Sequence, residues 1–223
     1  MLSNDIQAQI QKTEVYLNRY QQEKKRVFVS SSFQTHSIPL LHILSSLDNS
    51  IPVYFLDTGF HFEETLDFRD HIGSLLGLDI ISVTSPMSKI HQRDRQGRFF
   101  FCSDTDYCCH LNKVLPLEPT LHEFDIWITG VRRDQSKVRK QMDFEAKGPH
   151  GTTRFHPMLD WTSKMIHEYR KEFALPEHPL EKEGYLSVGC APCTQKYLGD
   201  ERASRWAGQN KVECGLHTEL IEK

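Results

Sequence analysis

Four cysteines stand in two pairs. Cys190 and Cys193 form a C-x-x-C unit within Gly189-Cys190-Ala191-Pro192-Cys193-Thr194, and Cys108 and Cys109 are adjacent. Converging thiolates are soft ligands that suit either zinc or an iron–sulfur cluster. A single zinc ion needs both neighbouring sulfurs within about 2.3 Å of one atom, whereas a cluster presents separate irons to separate ligands. The vicinal pair therefore leans toward a cluster, with zinc left open. A thioredoxin-like redox role for the C-x-x-C unit is the rival, but that motif normally opens a helix after a strand, which the loop around Gly189 does not resemble.

A fifth cysteine, Cys214, sits in Lys211-Val212-Glu213-Cys214-Gly215-Leu216-His217, in a tail too polar to form a core. A thiol with no packing role there invites reading as a nucleophile, active as its thiolate. The sixth, Cys102, lies in Phe99-Phe100-Phe101-Cys102 and reads as a small core residue.

These groups need a frame. Asn4 to Tyr20 carries apolar residues at helical spacing, and Val27 to Val29 reads as a strand that breaks into Ser30-Ser31-Ser32-Phe33. A helix follows from Ile38 to Leu47, so the serines either simply cap it or present hydroxyls and N–H groups at its N-terminus, where anions bind. The pattern repeats. Ile51 to Leu56 is a strand running into Asp57-Thr58-Gly59, and the next helix carries Phe68, Ile72, Leu75 and Leu76 on one face with Gly77 as its C-cap. Leu78 to Val83 is a third strand and Ile126 to Thr129 a fourth, ending in Gly130-Val131-Arg132-Arg133-Asp134-Gln135-Ser136. Between them Asp104 caps a helix that carries the vicinal cysteines and ends near Pro116. Arg154 to Met158 is a fifth strand, and Asp160 caps a helix with a stripe of Met165, Ile166, Tyr169 and Phe173.

Apolar strands alternating with helices imply an α/β fold with a parallel sheet, whose ligands sit beyond the carboxyl ends of the strands. Two arginines directly after a strand end suit an anion, and Asp57 suits a ribose hydroxyl or base amine. The 223 residues divide into a domain over 1–198 and a polar tail over 199–223. A net charge of −3 and 38% hydrophobic residues give no global case for nucleic acid or a membrane surface. With no secretory pattern and no apolar run of about 20 residues, the reading is cytoplasmic, a compartment in which cysteines point to metal or catalysis.

The motifs Ser30 to Phe33, Leu56-Asp57-Thr58-Gly59, Cys108-Cys109 with Lys113, Gly130 to Ser136, Gly189 to Thr194, Arg202, Arg205-Trp206 and Glu213 to His217 occur in one order. In that order the chain resembles the assimilatory adenylyl-sulfate reductases of the phosphoadenylyl-sulfate reductase family. The resemblance implies the adenine nucleotide α-hydrolase-like (PP-loop related) fold. It also implies a [4Fe–4S] cluster on Cys108, Cys109, Cys190 and Cys193, and Lys113 between that cluster and the substrate sulfate. Ser30, Ser31, Ser32, Phe33, Asp57, Gly59, Arg132 and Arg133 would line the nucleotide crevice, while Arg202, Arg205 and His217 would close the tail over the sulfate. The implied substrate is adenosine 5′-phosphosulfate, the implied nucleophile Cys214, and the implied electron donor thioredoxin or glutaredoxin. The 3′-phosphorylated nucleotide is the alternative substrate, and a homo-oligomer is left open.

The first loop departs from the glycine-rich type that cradles a triphosphate, because Phe33 and Gln34 occupy it, so ATP cleavage is not expected. A zinc-binding, RNA-recognising relative would need a basic surface and a triphosphate loop, and the sequence offers neither. A nucleotide-binding regulator without turnover would leave Cys214 unreactive.

Overall fold

A computed structural model describes residues 1–136, 139–196, 204–205 and 215–216. The chain divides into two compact units, one built from Met1–Phe55, Asp70–Ile81 and Pro119–Glu177, the other from Leu56–Arg69, Ser82–Glu118 and His178–Lys223.

The first unit is organised on a sheet. Strands β1 (Val27–Ser30), β2 (Val53–Asp57), β3 (Ile80–Thr84), β4 (Ile126–Thr129), β5 (Glu145–Lys147) and β6 (Thr153–Phe155) lie in the order β3-β2-β1-β4-β6-β5. β1 runs parallel to both β2 and β4, with Val27 opposite Ile126 and Ser30 opposite Thr129, and β4 runs parallel to β6. The expected parallel sheet flanked by helices is thus present. Phe28, Val29, Trp127 and Ile128 are buried on these central strands, which accounts for their near-continuous apolar runs.

β5 was not anticipated from the sequence. It is an antiparallel edge strand made of Glu145-Ala146-Lys147, and its charges suit an edge better than an interior. Glu145 is held by Arg19 and by the hydroxyl of Tyr20, which donates at 2.6 Å. Both residues come from α1 (Asn4–Gln22), whose Ile6, Leu17 and Tyr20 are buried.

α2 (Ile38–Leu47) has the expected bounds and follows a single 3-10 turn, Thr35–Ser37. α3 (Glu63–Leu76) buries Phe68 and Ile72, and Gly77 ends it with a φ of +63°, as a C-cap glycine should. Leu75 departs from its expected place on the buried stripe and is 53% exposed at the helix end.

Two short helices, α4 (Phe100–Ser103) and α5 (Thr105–Cys109), lead into a π-helical segment, His110–Val114, and then α6 (Leu115–Glu123). The helix carrying the cysteines therefore does not end near Pro116. A proline inside an α-helix lacks the N–H for residue i−4 and clashes with that carbonyl. The wider π turn ahead of Pro116 relieves that conflict, and Pro116 falls in the first turn of α6, where its missing donor costs little. α7 (Ser163–Glu172) is capped by Thr162, whose hydroxyl accepts from Met165 N at 3.2 Å, and not by Asp160 as expected. Ile166 and Tyr169 are its buried residues, whereas Phe173 is 43% exposed just beyond its end. Cys102 is exposed on α4, so it is not a core residue.

Candidate functional site

The C-x-x-C unit is a single 3-10 turn, Ala191–Cys193, tied down at both ends. Cys193 N donates to Cys190 O at 2.9 Å. The Thr194 hydroxyl donates to Cys190 O at 2.9 Å and accepts from Gly189 N at 3.1 Å. The Asp57-Thr58-Gly59 turn holds the loop from outside. Ala191 N donates to Phe60 O at 2.7 Å, and Thr58 Oγ1 lies 3.2 Å from Cys190 Sγ. Asp57 uses one carboxylate oxygen to accept from Gly59 N at 2.9 Å, which fixes the turn with Gly59 at a φ of +69°. A Cβ at Gly59 would meet only the flexible Lys89 side chain, at 2.8 Å, so it is the positive φ that calls for glycine here.

Arg205 spans the same loop. Its Nε donates to Cys193 O at 3.3 Å and its Nη1 to Val188 O at 3.4 Å. A side chain at Gly189 would overlap the guanidinium, so that glycine makes room for the arginine.

The vicinal pair is brought in by α5. Its N-cap is Asp104, as expected, with the carboxylate accepting from Tyr107 N at 2.9 Å. Cys108, Cys109, Cys190 and Cys193 are all buried free thiols and line one pocket together with Lys113, Arg205, Thr58 and Phe60. Including its open mouth, that pocket measures about 360 Å³. Among the described residues no three His, Cys, Asp or Glu side chains are grouped so as to hold one metal ion.

Burial, reinforced by the neighbouring sulfurs, pushes the Cys108 thiol up to about 12 and the Cys193 thiol up to about 11. Lys113 and Arg205 act on Cys193 in the opposite sense, favouring its thiolate. Thiols shifted in this way, as Cys108 and Cys193 are, make poor anions alone and good ligands to a cationic centre, which would supply the missing compensation for their charge. In donor type and enclosure the site fits a thiolate-ligated metal centre.

The first unit holds the serine loop and the paired arginines. Ser31 N donates to Tyr54 O, the Ser30 hydroxyl accepts from Trp127 Nε1 at 2.8 Å, and the Ser31 hydroxyl accepts from Phe33 N at 3.1 Å. The Ser32 hydroxyl accepts from Gln34 Nε2 at 3.3 Å. Phe33 is fully buried against Phe55 and has a φ of +52°, a left-handed conformation costing a non-glycine residue roughly 1–2 kcal/mol. Its ring belongs to the core, leaving its backbone to the loop.

Arg132 is 2% exposed and donates to Asp134 at 3.0 Å and to Ser163 at 3.2 Å, while its Nη1 is buried without a hydrogen-bond partner. Arg133 donates to Asp160 at 2.8 Å and to Lys140 O at 2.9 Å. The sequence singled out these two arginines, yet Arg139, whose Nη1 donates to Gln135, is also buried. The charge of this region registers on the histidines. Burial, followed by Arg132, pushes His36 down to about 4, and burial, followed by Arg154 and Arg139, does the same to His156.

Cys214, Arg202 and His217 lie outside the described residues. Gly215 is described, and a Cβ there would meet Cys109 Cβ at 2.6 Å, so the glycine packs directly on the vicinal pair. No sequence pattern gives a role to Thr58, Phe60, Gln92 or Asn112. Thr58 at least stands within a motif, whereas the two amides do not.

A model of the phosphoadenosine phosphosulfate reductase domain matches residues 26–196. The chain is 42% identical over 212 residues, 94% of its length and 85% of the relative's, to an adenosine 5′-phosphosulfate reductase of Chelativorans sp. (strain BNC1). It is 37% identical to one from Bacillus pumilus, covering 83% of this chain and 82% of the relative's. Among solved structures, phosphoadenylyl-sulfate reductase from Candida auris is similar with a TM-score of 0.68 at 19% identity, over 86% of this chain and 97% of that one. An NH3-dependent NAD synthetase from Campylobacter jejuni shares the fold at a TM-score of 0.56 and 12% identity, over 82% of this chain and 80% of that one. The sheet is thus of the adenine nucleotide α-hydrolase-like type, and the chain belongs to the phosphoadenosine phosphosulfate reductase family.

Proposed function

We propose that the chain, an oxidoreductase acting on sulfur, reduces adenosine 5′-phosphosulfate to sulfite and AMP. The observation that carries this reading is the pocket that gathers Cys108, Cys109, Cys190 and Cys193 with Lys113, in a chain 42% identical to a relative named for that reaction.

Cys214, as thiolate, attacks the sulfur of the substrate. The bond from that sulfur to the bridging oxygen breaks, AMP leaves with the electron pair, and Cys214 carries an S-sulfonate. A thiolate of an external dithiol, thioredoxin or glutaredoxin, then attacks the Cys214 sulfur, and sulfite departs with the S–S electron pair. The second thiol of the donor resolves the mixed disulfide and returns Cys214 to the thiolate. Both electrons come from the dithiol, which is oxidised to its disulfide as sulfur(VI) becomes sulfur(IV).

Lys113 offsets the repulsion between an anionic nucleophile and an anionic sulfate. Arg202 and His217 serve the same charge balance from the tail. Arg205, with two carbonyl bonds to the cysteine loop, joins that loop to the segment preceding the nucleophile. Ser30 to Phe33, Asp57, Gly59, Arg132 and Arg133 bind the nucleotide. Cys108, Cys109, Cys190 and Cys193 would hold a [4Fe–4S] cluster, whose irons would offset the charge of the four thiolates, and no electrons are drawn from it in this scheme.

The test is Cys214→Ser. Anaerobically purified variant protein is expected to bind the nucleotide and keep its brown colour, with no sulfite released; appreciable sulfite would sink the assignment. The family model and the Candida auris structure keep the 3′-phosphorylated nucleotide in view as a second substrate. Competing both nucleotides in a sulfite-release assay separates the two.

A further inference from the structure

Beside Cys108 two buried amides face each other. Gln92 and Asn112 are each 1% exposed, a costly placement for uncharged polar groups unless every donor and acceptor is satisfied. They satisfy one another. Asn112 Nδ2 donates to Gln92 Oε1 at 2.7 Å, and Gln92 Nε2 donates to Asn112 Oδ1 at 2.9 Å.

Two backbone carbonyls fix which way both amides point. Gln92 Nε2 also donates to Met87 O at 2.9 Å, and Asn112 Nδ2 to Cys108 O at 2.9 Å. Carbonyls only accept, so each amide nitrogen must face its carbonyl, and reversing either amide would set oxygen against oxygen at two contacts. The backbone carries this constraint to the pocket. Phe100 N donates to Gln92 O at 3.0 Å, which seats Gln92 beside the start of α4, and Asn112 stands in the π-helical segment one turn after Cys108.

The outcome is a donor aimed at sulfur. Asn112 Nδ2 lies 3.6 Å from Cys108 Sγ, so its second hydrogen is shared between the carbonyl and the sulfur of the same residue. A ligating thiolate is a stronger acceptor than a thiol, and that sharing shifts toward sulfur when Cys108 carries charge.

We propose that Gln92 and Asn112 are a positioning pair for Cys108. Gln92 fixes the orientation of the Asn112 amide, and Asn112 holds the Cys108 side chain and donates to its sulfur when that sulfur binds metal. The proposal rests on the cluster reading above and adds to it a buried amide donor to the Cys108 sulfur, supplied from the π turn itself.

The test uses full-length protein purified anaerobically, with resonance Raman spectra of the iron–thiolate stretches and the rate of iron loss to a chelator. Wild-type protein should show the bands of a thiolate-bound cluster. In Asn112→Leu the bands should move to higher frequency, because the sulfur loses a hydrogen-bond donor, and iron loss should accelerate by about tenfold, because the Cys108 side chain is no longer held in place. Gln92→Leu should move both readouts in the same direction by less, since the freed Asn112 amide still reaches Cys108 part of the time. If Asn112→Leu does not fold, Asn112→Asp, equal in shape but an acceptor when ionised, should speed iron loss further still. Wild-type bands and rates in the folded variants would overturn the proposal. Wild-type protein without iron and sulfide would remove the cluster reading itself, and the proposal with it.

Discussion

At the scale of single residues, the pocket makes sharp distinctions. Replacing any of Cys108, Cys109, Cys190 or Cys193 by serine removes a soft ligand. We expect loss of visible absorption together with acid-labile sulfide, whereas Cys102→Ser, at an exposed position, should retain both. Gly215 tests the approach of the tail. Alanine there would put a methyl 2.6 Å from Cys109 Cβ, so either the tail or the vicinal pair must shift. Gly215→Ala is expected to lower kcat/KM about tenfold or more, from roughly 1.4 kcal/mol of misplacement, with unchanged iron content. Full activity in that variant would mean that the packing of Gly215 on Cys109 is not the arrangement that reacts.

At the scale of elements, α5 and the π turn are the means by which the chain delivers two adjacent cysteines to one pocket. The helix start depends on Asp104, whose carboxylate satisfies an otherwise unpaired N–H. Asp104→Ala is expected to cost about 1 kcal/mol of stability, visible as a lower denaturant midpoint at unchanged slope. The start of this helix was legible because an acidic cap has a local signature. Its continuation past Pro116 was not, because a proline read in isolation says stop, and only the π turn before it shows how the helix goes on. The same limit explains β5, whose Glu145-Ala146-Lys147 has no strand signature and is held in the sheet by Arg19 and Tyr20 from α1.

At the scale of the whole molecule, buried neutral histidines couple stability to pH. His156 and His178 are fully buried, with burial the leading cause that holds each down to about 4. In the unfolded chain each takes up a proton near pH 6.5. Their contribution is complete above that value and is lost as pH falls toward 4, at up to about 1.4 kcal/mol per pH unit for each histidine. Urea midpoints should therefore fall steadily between about pH 6.5 and about pH 4, and His178→Gln should flatten that slope. A slope untouched by the substitution would show that His178 already carries its proton when folded.

The sequence by itself determined the alternation of strands and helices, the strand ends that carry serine, aspartate and arginine, and the order of motifs that places the chain in its family. Those features are local, written in hydrophobic period and residue type within a few positions. Only the tertiary structure decided that Thr58 and Phe60 serve the C-x-x-C loop, that Arg205 lies against Gly189, and that Asn112 points at Cys108 because Gln92 holds it. Asn112 and Gln92 stand 20 residues apart, and the C-x-x-C loop 132 residues from Thr58. No periodicity spans such distances, and a buried amide has the same letter as an exposed one until its partners are in place.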